Sequence, residues 1–143
     1  MAASAVTAAQ VVPGDNAVID ASRVAGATMT AGQVVYLDAN DSYKVKLFDS
    51  DGVGTTQMYG IAVCGASAGQ TVPIQVGGDL DLGAVAGAAG VTAGYPVFGM
   101  STAGAISVDL TDVAVGAFMS VLGVGYAVGK IRVQVLNSNA AKL

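Results

Sequence analysis

Four short segments of this chain alternate strictly between apolar and polar residues, and this alternation constrains the fold more than any other feature. They are YKVKLF (43–48), TVPIQV (71–76), AISVDL (105–110) and KIRVQV (130–135). Successive side chains of a β-strand point to opposite faces, so a period of two predicts strands with one buried face. In the first segment we expect Tyr43, Val45 and Leu47 on that face. Pro73 cannot donate to a ladder, which predicts an edge or an unpaired position there.

Other runs are apolar on both faces, namely VVYL (34–37), YGIAVC (59–64) and FMSVLGVGYAV (118–128). Such a strand needs cover on both sides, so we expect a barrel or sandwich core on one side and a neighbouring subunit on the other. Helical signals are weak. We expect a small-residue loop at GAVAGAAG (83–90), because glycine penalises a helix, and a short helical turn after Thr111 or Asp112.

The chain also repeats itself. Thr-Ala-Gly followed by an apolar run begins at Thr30 and again at Thr92, and each copy continues through an alternating strand, an apolar strand and a second alternating strand that ends Gln-Val. Independent turn chemistry in a glycine-rich chain is the alternative explanation. The matched order instead predicts a small antiparallel β-barrel or β-sandwich built from two similar halves, at about 30–76 and 92–135.

Composition limits what this β domain can do. Of 143 residues, 53% are hydrophobic, but glycine accounts for 20 and tryptophan is absent, so each side chain buries little area. The single cysteine, Cys64, excludes an intrachain disulfide and is expected to be a small buried hydrophobe, which leaves oligomerisation as the expected supplement to stability. The net charge is −4 and the six basic residues are scattered, which argues against nucleic acid as a partner. Glycines interrupt every long uncharged stretch, so we expect no membrane partner.

Candidate chemistry is sparse. The chain has neither histidine nor glutamate, which excludes a Ser/His/Asp triad and a complete calcium loop at DSDG (49–52). Asp79 and Asp81 share one strand face and would suit a divalent cation or an acid/base pair, but a solvated face opposite Leu80 and Leu82 is the preferred interpretation. We expect no catalytic residue, metal, cofactor or small-molecule substrate.

The order of these segments resembles the cement proteins of tailed-phage capsids, also called head decoration proteins of the small all-β type. The similarity covers about 28–136 and is carried by TAGQVVYLDANDSYKV, YGIAVCGASAGQTVPIQVGGDLDLG, TAGYPVFGMSTAGAISV and VLGVGYAVGKIRVQV. It implies a homotrimer on the outer surface of the virion capsid, made in the host cytoplasm, that bridges neighbouring major capsid proteins. The segment before Thr28 is longer and richer in alanine than the start of the family pattern.

The expected organisation is an N-terminal arm or first strand (1–27), a β domain (28–137) and a C-terminal tail (138–143). A phage surface or fibre module that recognises a host glycan is the alternative function, although glycan sites usually show exposed aromatic residues and this chain has no tryptophan. The expected interface or core anchors are Val11, Val12, Val35, Tyr36, Tyr59, Tyr95, Phe98, Phe118 and Tyr126.

Overall fold

The computed structural model describes residues 4–50, 57–100, 102–109 and 118–141, and it confirms the all-β class. Strand residues far outnumber helical ones in the described ranges, so sheet pairing dominates the fold. The strands within the described ranges are β1 (Val12–Pro13), β2 (Val18–Asp20), β3 (Val34–Asp38), β4 (Lys44–Leu47), β5 (Gly60–Ala62), β6 (Ile74–Asp81), β7 (Pro96–Gly99), β8 (Ile106–Ser107), β9 (Phe118–Ala127) and β10 (Lys130–Ala141). Helix α1 spans Gly83–Ala88, and 3₁₀ turns occur at Ala8–Gln10 and Ala39–Asp41.

The strands form one curled antiparallel sheet, a half-barrel, whose pairing pattern occurs twice. The order is β4-β3-β5-β6-β10-β9-β7-β8, with β1 and β2 also paired to β6. We call β3 to β6 the first half and β7 to β10 the second half. In each half the first strand lies between the second and the third, and the fourth pairs with the third. The halves meet where β6 pairs with β10, from Asp81 opposite Lys130 to Gly77 opposite Gln134.

Both Thr-Ala-Gly segments build the same turn into the first strand of their half. Gly32 and Gly94 have φ values of 92° and 86°, a left-handed conformation that favours glycine. The Gly32 N–H donates to the Ala62 carbonyl at 2.8 Å, and the Gly94 N–H donates to the Gly125 carbonyl at 2.9 Å. The repeated tripeptide therefore has the same conformation and the same kind of partner in the two places.

Two groups of buried apolar residues hold this sheet together. The larger group, here the main core, lies between the halves and includes Val34 and Ile61 from the first half with Val97, Leu122 and Ile131 from the second. The smaller group, here the small core, joins the first half to the segment before β3. It contains the residues Ala25, Met29, Val35, Val45, Ala62, Ala66, Val72 and Ile74. Residues 24–29 close over this small core through isolated bridges to Thr71, Val45 and Ala66.

Residues of the same chain, and not of a neighbouring subunit, pack on both faces of the VVYL run. Val34 and Ile61 turn one face of the first half into the main core, while Val35 turns the other face into the small core. The expectation of a neighbouring subunit on the second side of this run was wrong, because residues 24–29 of the same chain close over Val35 there.

Several local expectations were also wrong. Tyr43 does not share the buried face of β4, because Ser42 and Tyr43 form a turn with φ values of 54° and 58° and the ring is exposed. Residues Gly83–Ala88 form helix α1 and not a loop, since Ala86 packs into the main core and the Asp81 carboxylate accepts a hydrogen bond from the Gly83 N–H at 2.8 Å. Cys64 is exposed, because its neighbour Val63 takes the buried position.

The ends of the expected domain have defined structure. Within the segment predicted as an arm or first strand, β1 and β2 pair with β6 and Val11 enters the main core. Strand β10 continues to Ala141, inside the range predicted as a C-terminal tail. Pro73 precedes β6 and its carbonyl accepts a hydrogen bond from the Val63 N–H at 3.2 Å. The helical turn predicted after Thr111 or Asp112 lies outside the described residues.

Candidate interaction surface

The second half carries an apolar face that the described part of the chain leaves partly open to solvent. Cross-strand pairing places Pro96 beside Val124 and Phe98 beside Val121, on the side of the sheet opposite Val97. Leu136 of β10 pairs with Val121 and continues the same side. We call this surface the outer face and define it as Pro96, Phe98, Val121, Val124, Tyr126 and Leu136.

The outer face is exposed where its counterpart in the first half is buried. The pairs Val34–Ile61 and Pro96–Val124 occupy equivalent ladder positions in their halves. Val34 and Ile61 have 0% exposure because the second half packs on them, whereas Val124 is 47% exposed. Leu136 is 65% exposed, and an open apolar patch of this kind is typical of an interaction site.

A cross-strand ion pair borders the outer face. Arg132 Nε lies 2.9 Å from Asp79 Oδ1, and this hydrogen bond raises the pKa of the Arg132 guanidinium. The same guanidinium carbon lies 5.7 Å from the centre of the Tyr126 ring, within the range of a cation–π contact. The Tyr126 ring therefore lies beside Arg132 at the edge of the outer face, and Asp79 compensates the charge of Arg132.

A second polar cluster fastens β2 to the first half. The Asp20 carboxylate accepts hydrogen bonds from Ser22 Oγ at 2.6 Å, Tyr59 OH at 2.5 Å and Arg23 Nε at 2.8 Å, and also from the Ser22 N–H at 3.0 Å. These bonds, that from Ser22 foremost, hold the pKa of Asp20 well below its usual 3.8. Burial, followed by the hydrogen bond to Asp20, raises the pKa of Tyr59. The cluster therefore gives the Tyr59 hydroxyl a hydrogen-bond partner, while the rest of Tyr59 packs against the small core.

The expected anchors divide between core and surface. Val11 and Val35 are buried in the main and the small core, and Tyr36 and Tyr59 are half-buried against these two cores in turn. Phe98 and Tyr126 lie on the outer face, together with residues that the sequence did not single out, Val124 and Leu136. The remaining surface anchors are Val12 on β1 and Tyr95 just before β7, both more than half exposed. Phe118 begins β9, and its side chain lies outside the described residues.

Sequence reasoning also missed an anchor that is polar. Asn137 of β10 reaches the first half, where its Oδ1 accepts from the Met58 N–H at 2.7 Å and its Nδ2 donates to the Met58 carbonyl at 3.0 Å. The Asn137 side chain thus satisfies the backbone N–H and carbonyl of Met58, as a neighbouring strand would. No periodicity marks such a residue, because its role depends on a backbone 79 positions earlier in the chain.

The acidic residues considered for metal or acid/base chemistry have structural partners. Leu80 and Leu82 are buried as expected, Asp79 pairs with Arg132, and Asp81 accepts a hydrogen bond from the Gly83 N–H at the start of α1. Across the described ranges, no group of three or more His, Cys or acidic side chains is arranged to hold a metal ion. In the same ranges, no helix has the length and apolar character needed to cross a membrane.

Comparison with protein-family profiles and with curated protein sequences finds no match for this chain.

Proposed function

We propose that this chain is a cement protein of a tailed-phage capsid. It binds the outer surface of the assembled shell, bridges neighbouring major capsid proteins and associates with itself as a trimer. The observation that carries the proposal is the outer face, where Val124, Tyr126 and Leu136 are exposed although the equivalent ladder pair of the first half, Val34 and Ile61, is fully buried. The major capsid protein is the partner to which we assign it.

The chemistry of the outer face suits a lattice partner more than a soluble ligand. Its residues are aliphatic or aromatic, and Arg132 at its border is already paired with Asp79. Each contact would bury a modest apolar area, which stabilises by about 25 cal/mol for every Å² removed from water. Repetition of such contacts over a shell, linked through self-association, gives avidity without one tight interface. Because the protein would bind only assembled subunits, it would stabilise the shell by mass action.

A structural role without catalysis agrees with the side chains available. The chain contains neither histidine nor glutamate, and the acidic residues Asp20, Asp79 and Asp81 are engaged in hydrogen bonds or ion pairs that organise the fold. Each of these carboxylates therefore has a partner within the fold.

The test mixes purified protein with undecorated, expanded capsids assembled from the major capsid protein of the same genome. Co-sedimentation measures binding and cryo-electron microscopy locates the added density. We expect density on the outside of the shell, at local three-fold positions. Absence of binding to the lattice would overturn the proposal.

A matched pair of variants tests the assigned surface. Leu136→Asp places a charge on the outer face at a position that is 65% exposed, so the fold should tolerate it while capsid binding falls at least about tenfold. Tyr43→Asn alters a residue of similar exposure, 59%, beside β4, which is an end strand of the sheet in the other half. This variant should bind the capsid as the parent protein does. Equal binding by the parent and Leu136→Asp would show that the outer face is not the contact.

A further inference from the structure

A groove of about 210 Å³ opens on the first half, away from the outer face. It lies between residues 22–24 and 42–44, next to the hydrogen bond that the Val45 N–H donates to the Val24 carbonyl at 2.9 Å. Its lining residues include two serines, two cationic residues and one tyrosine. The lining residues are Ser22, Arg23, Val24, Ser42, Tyr43 and Lys44.

Tyr43, the aromatic residue of the groove, lies in an unfavourable backbone conformation that leaves its ring exposed. Ser42 and Tyr43 both have positive φ, in a turn that glycine and asparagine adopt with much less strain. The Tyr43 N–H donates to the Asp38 carbonyl at 2.8 Å, and the ring is 59% exposed. A rigid aromatic surface with a polar end is thus presented beside the groove rather than buried.

The charges around the groove are balanced. Arg23 Nε lies 2.8 Å from Asp20 Oδ2, and Lys44 Nζ lies 3.7 Å from Asp41 Oδ1. Neither carboxylate lines the groove, but each neutralises one of the two cationic residues that do, so no unpaired positive charge is left there for a small anion. A neutral molecule with several hydroxyl groups fits better, because its hydroxyl groups can exchange hydrogen bonds with the two serines and accept from the paired cations without bringing a charge of their own.

We propose that this groove binds one neutral pyranose unit of a surface glycan. The sugar ring lies against Tyr43, and its hydroxyl groups hydrogen-bond to Ser22 and Ser42 and to the neighbouring ion pairs. The groove is shallow and open, so a single sugar binds with millimolar affinity. This site is independent of the capsid role, although display of many copies on a virion would turn weak binding into adhesion.

The test uses the full chain labelled with ¹⁵N and titrates it with glucose, galactose, mannose and N-acetylglucosamine. Glucuronate and sulfate serve as anionic probes. We expect saturable amide shifts at residues 42–44 with at least one neutral sugar, and saturation transfer to the sugar ring protons. Tyr43→Asn should weaken this binding at least about tenfold without loss of fold, because asparagine tolerates positive φ better than tyrosine. Tyr95→Asn, at a tyrosine that is 54% exposed outside the groove, should change nothing.

Three results would overturn the proposal. The first is no saturable shift with any neutral sugar up to about 100 mM, well above the millimolar range expected. The second is binding of sulfate or glucuronate alone, which would make the groove an anion site. The third is equal loss of binding in the Tyr43 and Tyr95 variants. None of these outcomes depends on whether the protein binds a capsid, so the two proposals fail separately.

Discussion

Replacement of Gly123 by alanine probes the closest approach between β9 and β10. A Cβ atom on Gly123 would lie 2.1 Å from the Arg132 carbonyl oxygen, whereas ordinary van der Waals contact begins at 3.4 Å. Gly60 has the equivalent ladder position in the first half, and its Cβ would lie 2.4 Å from the Gln75 carbonyl oxygen. In both halves the obstacle is backbone, so no side-chain rotation relieves the clash.

The expected cost follows from that geometry. The strands would have to separate by about 1.3 Å, the difference between 2.1 and 3.4 Å. Overpacking costs about 1–3 kcal/mol, and loss of one or two ladder hydrogen bonds adds about 1 kcal/mol each. We therefore expect Gly123→Ala to lower the free energy of unfolding by about 2–5 kcal/mol, and Gly60→Ala to behave similarly.

Urea denaturation measures this change, and Gly77→Ala is the matched control. Gly77 lies in the same sheet, but its Cβ would meet only ordinary contacts, the nearest at 3.6 Å from Val18. Alanine also has less entropy to lose on folding than glycine, so the control should be neutral or slightly stabilising. If Gly123→Ala and Gly77→Ala agreed within about 0.5 kcal/mol, the close approach would not constrain the sheet and the reasoning would be refuted.

Three further substitutions test other contacts. Asn137→Ala should destabilise by about 1–3 kcal/mol and speed hydrogen exchange at the Met58 amide, because both bonds to that backbone are lost; unchanged protection of Met58 would contradict the assigned role. Leu122→Ala empties a fully buried position between the halves and should cost about 2–5 kcal/mol in urea denaturation, and a cost below about 1 kcal/mol would argue against a packed main core. The pKa of Asp20 is lower in the folded state than its usual 3.8, so its ionised carboxyl stabilises the fold above that pH, and this contribution is lost as the pH falls. Asp20→Asn should therefore be less stable at neutral pH and show a flatter loss of stability between about pH 5 and pH 2; an identical acid profile would refute this.

The sequence was most informative where one buried face decides the register. The alternation in KIRVQV located β10 and placed Ile131 and Val133 inward, and both are buried. The same pattern misplaced Tyr43, because a period of two does not reveal that the chain has already entered a left-handed turn. The groove beside Tyr43 was therefore out of reach of sequence reasoning, since it depends on a backbone conformation and on residues 22–24 from another segment.

Long-range packing explains the other differences. Alanine and glycine in residues 83–88 give little helical signal, yet burial of Ala86 and the Asp81 hydrogen bond favour α1. Because VVYL and β9 carry apolar residues on both faces, the sequence predicted that other residues pack on both sides of each strand. Their residue types did not reveal that the second half would cover Val34 and leave Val124 open, because the covering residues come from distant parts of the chain.

The pairing of β6 with β10 also has a consequence for how the protein is made. Strand β6 takes partners from both ends of the chain, β1 and β2 from the beginning and β10 from the end. The sheet therefore cannot close on the ribosome before β10 has been synthesised. Folds dominated by such non-local pairing form slowly, on a timescale of milliseconds to seconds. Until then β6 has an unpaired edge, so a nascent or truncated chain is the species most prone to join another copy incorrectly.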